Sequence, residues 1–272
     1  LIAKTRGVDI IFHCAAMKHV TISERSPDQA VSTNIIGVQN IINAAEVNNV
    51  EVVVFTSSDK AVNPTNVMGT TKHMGERLMT AASENASKQG TCFVSTRFGN
   101  VLGSNGSVVP IFKHQIKNGG PVTLTDRMMT RFVMSAAQAA ILVIDSARIG
   151  VGGEVFVTKM PVISIADLAQ ALIELMRPMD GLNEQSVEIR CIGSKPGEKL
   201  YEELMSEEET QRAVELSEYY SILPAFHRAN NEPMYIYDSA EDNSGCNAYK
   251  SINEPRLSVE EIKKLLISYD LC

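Results

Sequence analysis

Glu51-Val52-Val53-Val54-Phe55-Thr56-Ser57-Ser58-Asp59-Lys60 runs from a β-branched apolar stretch straight into two hydroxyls, a carboxylate and an ammonium. Three successive valines leave no polar side for water, which reads as a strand buried on both faces. Upstream, Val8-Asp9-Ile10-Ile11-Phe12 is a second short apolar run, ending in the small residues Ala15 and Ala16. Downstream, Cys92 to Thr96 is a third. Between them lie two helical patterns. One follows Pro27 through Val47, with Val31, Ile35, Val38, Ile42 and Ala45 spaced by three or four; the other spans Asn66 to Lys88. Strand, helix, strand, helix, strand predicts an α/β fold with a parallel sheet covered on both faces.

After Asn100 the rhythm breaks. Gly99, Gly103, Gly106, Gly119 and Gly120, with Pro110 and Pro121, mark loops around a short helix, Val108 to Ile116. The pattern then predicts a helix from Thr130 to Ala147, a strand from Glu154 to Thr158, and a helix from Ile165 to Met176 after Ser164 as N-cap. A strand from Val187 to Ile192 leads to a helix from Glu198 to Glu207, and Tyr219 to Ser251 reads as loops. Ser258 and Glu261 form a capping box for a last helix.

The 272 residues are 44% hydrophobic and 21% charged, with 17 Gly, 10 Pro and no Trp, which excludes a disordered tail, a collagen-like repeat and a disulfide scaffold. A net charge of −7 argues against a nucleic-acid surface. Cys14, Cys92, Cys191, Cys246 and Cys272 form no C-x-x-C pair, and His13, His19, His73, His114 and His227 have no ligand spacing, so no metal site is expected. No apolar run reaches the length of a membrane helix. The expected setting is a reducing cytoplasm. Met74, Met79, Met128 and Met129 read as core filler.

A parallel α/β sheet takes its ligand beyond the carboxyl ends of its strands. His13 to His19, Thr56 to Met68, and Arg97 to Ser107 are those ends. Asp59 and Lys60 can move protons at neighbouring substrate carbons if both reach inward; the same letters also fit a solvated turn. Met68 and Lys72 are four apart and share a helix face. Many nicotinamide-dependent short-chain enzymes carry Tyr and Lys at this spacing, and Met moves no proton. An exposed helix lysine is the plain alternative for Lys72. Thr125-Asp126 and Thr130-Arg131-Phe132 stand where a helix is expected to begin, a favourable place for a phosphate. Lys195-Pro196-Gly197-Glu198-Lys199 reads as a basic turn opening another.

Together these strings resemble the extended short-chain dehydrogenase/reductase superfamily, and within it the nucleotide-sugar 4,6-dehydratases of the polysaccharide-biosynthesis group that act on UDP-N-acetylglucosamine. The resemblance is carried by Phe12-His13-Cys14-Ala15-Ala16-Met17-Lys18-His19-Val20, Thr33-Asn34, and Ser57-Ser58-Asp59-Lys60-Ala61-Val62-Asn63-Pro64. Asn66 through Lys72, Arg97 to Pro110, Thr125 through Phe132, Lys195 to Leu200 and Arg256 to Glu261 extend it over essentially the whole chain. It implies NAD as cofactor and a UDP-sugar as substrate. C4 of the sugar is oxidised, water leaves from C5 and C6, and the hydride returns to C6. Asp59 would be the acid, Lys60 the base, Ser58 the holder of the C4 oxygen, and Met68 a recurrent replacement of the Tyr. A lysine base must be neutral; Lys72 and the oxidised nicotinamide would help to make it so. Ala15, Ala16, Lys18, Asn34, Thr56, Ser57, Lys72 and Arg97 would meet the cofactor. His19, Asn100, Ser104, Val109, Pro110, Thr125, Arg131 and Glu198 would hold the UDP-sugar. A homo-oligomer is implied as well. Thr21 stands where the family usually has Pro.

One departure is large. The glycine-rich turn that seats a pyrophosphate on a helix N-terminus is not in the sequence, and the chain opens Leu1-Ile2-Ala3-Lys4 without Met. The expectation is therefore a Rossmann-like sheet lacking its first strands. Residues 1–105 would be the rest of the NAD-binding domain. Residues 106–272 would be mainly a smaller UDP-sugar-binding α/β region, with some elements returning to the first. A UDP-sugar 4-epimerase, or a non-catalytic fragment without the NAD-binding front half, are the alternatives.

Overall fold

The computed structural model describes every residue except 86–89, 177–186, 194–196, 226–234, 239, 241–245 and 272. In chain order the main elements are β1 (Ile10–His13), α1 (Val20–Arg25), α2 (Pro27–Val31), a π turn (Ser32–Ile36), α3 (Gly37–Asn48), β2 (Val52–Ser58) and α4 (Val67–Asn85). There follow β3 (Cys92–Phe98), β4 (Asn100–Val101), α5 (Val108–Lys117), β5 (Val122–Leu124), β6 (Thr130–Met134), α6 (Ala136–Ile149), β7 (Val155–Thr158) and β8 (Val162–Ser164). The rest are α7 (Ile165–Met176), β9 (Ile189–Cys191), β10 (Glu203–Met205), β11 (Ala213–Glu215), β12 (Tyr219–Ile222) and α8 (Val259–Ser268).

Two compact units result, and the first boundary falls between Phe98 and Gly99. The first unit is Leu1–Phe98, Ala140–Lys159 and Glu203–Tyr249; the second is Gly99–Ala139, Met160–Glu202 and Lys250–Cys272.

The first unit is built on a Rossmann-like sheet in the order β1-β2-β3-β7-β12-β11. β1, β2, β3 and β7 run parallel, so His13, Ser58, Phe98 and Thr158 end at one edge. Its pleat sorts the side chains. Val53, Phe55 and Phe93 pack with Val38, Ile41, Ala45 and Met79 of α3 and α4, while Val54, Val94 and Phe156 meet Leu142 and Val143 of α6 on the other face. Among the described residues no strand pairs with the outer edge of β1, and Ile10 and Phe12 stand 44% exposed there.

The second unit has a three-stranded sheet, β4-β6-β8, and a pair, β5-β9. Its core joins Val109, Phe112 and Ile116 of α5 to Leu168 and Leu172 of α7 and to Ile262 and Leu266 of α8. Ser164 caps α7 by accepting from the Asp167 N–H, and Ser258 and Glu261 form the expected capping box.

Three expectations are corrected. Thr130–Met134 is a strand, buried at every residue, and the helix starts only at Ala136. Ser135 and Gln138 bond each other's backbone N–H groups there, a reciprocal cap that fixes the start. Glu198 to Glu207 is not a helix either: Gly197 has φ 77, and Glu203–Met205 is a buried strand. Tyr219–Ile222, read as loop, is a strand paired antiparallel with β7, as its aromatic and β-branched content favours. Of the four methionines read as filler, Met79 and Met129 are buried whereas Met74 and Met128 are exposed.

Candidate active site

Ser58, the last residue of β2, caps a single 3-10 turn, Asp59–Ala61, by accepting from the Lys60 N–H. The turn aims three functional groups at one another. Oδ1 of Asp59 accepts from Ser58 Oγ at 2.6 Å and from Lys60 Nζ at 2.9 Å. Asp59 is 1% exposed, and its Oδ2 has no hydrogen-bond partner. A buried carboxylate oxygen without a donor is costly, and such groups concentrate where a ligand supplies the missing partner. Lys60 Nζ and Asp59 Oδ1 thus form a close ion pair within the turn.

α4 closes the back of the site. Asn66 Oδ1 accepts from Gly69 N, and Glu24 of α1 accepts from Val67 N, which satisfies two of the N–H groups at the helix start. Gly69 lets this turn lie against the Lys60 carbonyl, where a Cβ would collide with it. His73 Nδ1 lies 3.1 Å from the Ala61 carbonyl. Met68 is buried in the first turn, and Lys72, on the same face, is buried as well rather than exposed. Its ammonium donates to the Thr56 carbonyl at 2.6 Å and lies 4.6 Å from the centroid of the Phe55 ring. Burial pulls its pKa down to about 8; Glu76 and Cys14 act the other way.

The groups expected around the cofactor divide. Thr56 is buried and donates to the His13 carbonyl, and Ser57 Oγ is buried without a partner. Asn34, in the π turn, is a clamp: its carbonyl accepts from Met17 N, and its amide donates to Met17 O and Thr71 Oγ1. It ties the segment after β1 to α4. Ala15 and Lys18 are exposed, and Ala16 is half-buried. His19, also exposed, is the N-cap residue of α1.

Arg97 overturns its expected role. It is 1% exposed, and all five of its N–H groups are taken: two bonds to Glu76, two to Glu209 and one to the Leu204 carbonyl. No donor remains for a cofactor. The guanidinium instead ties β3 to α4 and to the segment around β10. Burial would raise the Glu209 carboxyl, but Arg97 holds it down at about 2.

In the second unit, Arg131 stands inside β6, not at a helix start. It donates to the carbonyls of Thr130, Lys199 and Leu200 and pairs with Glu202. Val109 turns into the core rather than toward a ligand, since α5 packs that face on α7. Asn100 pairs with Val133 across β4 and β6. Ser104 is half-buried and Pro110 exposed. Thr125 Oγ1 donates to the Met129 sulfur, and Glu198 is exposed. Lys195 and Pro196 lie outside the described residues.

Sequence reasoning did not single out Phe55, Gly69, Gly75, Glu76 or Glu209. Except for Gly69 against Lys60, their partners are far along the chain, and only the two glycines inside a helical pattern signal close approach.

This parallel sheet, with a buried lysine on the helix beside its carboxyl edge, defines an α/β protein of Rossmann-like fold. The chain belongs to the polysaccharide biosynthesis protein family, whose profile matches residues 1–224. It is 46% identical over 264 residues to the uncharacterized membrane protein MJ1061 of Methanocaldococcus jannaschii, covering 96% of this chain and 76% of that one. It is 40% identical over 265 residues to a UDP-glucose 4-epimerase of Rickettsia bellii, covering 97% and 75%. The solved structure of Pen from Bacillus thuringiensis superposes with a TM-score of 0.88 at 42% identity, covering 100% of this chain and 78% of that one. No helix among the described residues is long and apolar enough to cross a membrane.

Proposed function

We propose that the protein is an NAD-dependent 4,6-dehydratase that converts UDP-N-acetylglucosamine to a UDP-4-keto-6-deoxy sugar for surface polysaccharide. The carrying observation is the Asp59–Lys60 pair at the carboxyl end of β2, with Met68 buried where a proton-moving Tyr would otherwise stand. Dehydration needs an acid for the departing C6 oxygen and a base at C5. The two groups are one proton apart. Moving that proton from Nζ to the carboxylate gives a neutral amine and a carboxylic acid together. Lys60 then takes the C5 proton, and Asp59 gives its proton to the C6 hydroxyl as water leaves. Ser58 Oγ, released from Asp59, holds the C4 oxygen.

The residues present fit the nicotinamide-ribose end of NAD. Lys72 spends one described hydrogen bond on the protein, at the Thr56 carbonyl, and the Oγ of the next residue, Ser57, is buried with none. NAD bound there supplies the acceptor and later donor of the C4 hydride. Lys72 orients the ribose, and Ala15, Ala16, Lys18 and Asn34 shape the same edge. For the UDP-sugar, His19 is a candidate contact on the first unit, and Asn100, Ser104, Pro110, Thr125 and Glu198 are candidates on the second. A cytoplasmic homo-oligomer completes the reading, checked by light scattering.

The name of the 40%-identical Rickettsia relative favours a second reading, a UDP-sugar 4-epimerase. It shares the C4 oxidation but omits elimination. Incubation with NAD and UDP-N-acetylglucosamine separates the two. A 4-keto-6-deoxy product is expected; UDP-N-acetylgalactosamine in its place would sink the dehydratase.

A further inference from the structure

The chemistry above leaves one buried polar group of this edge unused. His13, the last residue of β1, is 8% exposed, and its Nε2 has no hydrogen-bond partner. Its ring stacks on Phe55, with centroids 5.8 Å apart and planes 26° from parallel. The Lys72 ammonium lies over that same Phe55 ring, 4.6 Å from the centroid. An imidazole nitrogen buried without a partner destabilises a fold, so a plain hydrocarbon would suit this position better if packing were all that mattered.

The surroundings admit one positive charge. From α4 come Lys72 and Glu76, and both carboxylate oxygens of Glu76 are engaged by Arg97. From the segment after β1 comes Cys14, and from β2 the apolar Phe55 ring. Burial first, and the Lys72 charge second, press the His13 ring toward its neutral form.

We propose that His13 is a positioning residue for Lys72: the two share the Phe55 ring as a seat for a single cation, and the neutral imidazole leaves that place to the ammonium. Protonating His13 puts a second cation on the seat, so Lys72 must give up its proton or leave the Thr56 carbonyl. Ligand binding through Lys72 then weakens in acid. This role rests on the reading of Lys72 given above, whereas the coupling between the two side chains does not.

The test is an NMR titration of the His13 Cε1–H signal in the 272-residue chain. The midpoint is expected below the ordinary 6.5, with a second small step as Lys72 loses its proton near 8. Lys72→Met should raise the midpoint by at least about half a unit, and Lys72→Arg should keep it low. An unchanged midpoint in Lys72→Met overturns the pair. Should that variant not fold, a missing second step in the unmutated chain overturns it equally. For the reaction, His13→Phe keeps the stacked ring without the nitrogen, and the acid limb of kcat/KM should move to lower pH. An unmoved limb overturns the positioning role. Absence of turnover with any UDP-sugar defeats the reading of the site and leaves the titration to decide the pair.

Discussion

A Cβ on Gly75 would stand 2.6 Å from Cζ of the Phe55 ring. The missing side chain on α4 is therefore what admits the ring that carries the Lys72 ammonium. Gly75→Ala gains about 1 kcal/mol of helix propensity but forces an overlap costing roughly 1–3 kcal/mol in a packed core. The expected result in urea unfolding is a net loss of about 1 kcal/mol together with a fall in turnover. Adding Phe55→Leu should recover part of the loss, so the double variant loses less than the two single ones added together.

Gly69 makes the sharper demand. Its neighbour is the Lys60 carbonyl, part of the turn that holds Asp59, and backbone cannot swing aside as a ring can. Gly69→Ala should therefore remove turnover more completely than Gly75→Ala. Circular dichroism separates a displaced turn from a lost fold: retained helix content with no turnover is the expected pair of results.

Arg97 and Glu209 predict how the fold behaves in acid. Glu209 is held at about 2 in the folded chain against an ordinary 4.5. Its stabilisation is thus complete above 4.5 and is lost as pH falls toward 2, amounting to roughly 3 kcal/mol. Glu209→Gln should flatten that part of the stability curve. It should also be destabilising at neutral pH by about 3–5 kcal/mol, because Arg97 is left buried with too few acceptors.

The order of strands and helices up to Phe98 was legible because its signals are local, Val52-Val53-Val54 and the spacing of Val38 and Ile42, and in the second unit the Ser258–Glu261 box was legible for the same reason. β6 was not, since Thr130-Arg131 opens it with polar letters and its burial comes from β4 and β8. The segment from Glu198 is rich in Glu and Lys, which suits a helix, yet Glu203 is buried and its strand ends the run. Arg97 shows the general limit. Its partners lie 21, 107 and 112 residues away, so nothing near it in the chain tells a buried tie from a cofactor contact. The turn Ser58-Asp59-Lys60 was legible as a cluster of chemistry; that its groups bond one another required coordinates.

Asp59→Asn and Lys60→Ala should each abolish dehydration while leaving UDP-sugar binding within a few-fold. Asparagine cannot supply the proton, and alanine cannot take one. Met68→Leu should be mild, because Met68 contributes packing in the first turn of α4 and carries no proton. Calorimetric titration with the UDP-sugar beside a product assay checks all three; near-full turnover in either charged-group variant would remove that residue from its role.

Lys72 offers the last prediction, one of sign. Its folded pKa is about 8 against 10.5 for a free lysine, because burial penalises the ammonium. Below pH 8 both folded and unfolded chains carry the proton, and the folded chain bears the full desolvation cost. Between about 8 and 10.5 the unfolded chain binds the proton while the folded chain has released it, so stability contributed by this group rises with pH. Lys72→Met keeps the unbranched reach without the charge. The variant should be more stable at neutral pH by on the order of 1–3 kcal/mol, offset in part by the donor lost from the Thr56 carbonyl. The difference in unfolding free energy between the two proteins should shrink from pH 8 to 10.5. Turnover should vanish in the same variant, the mark of a group retained at the expense of stability for its work on a ligand. A variant less stable than the parent throughout that range would show instead that the Thr56 contact outweighs desolvation.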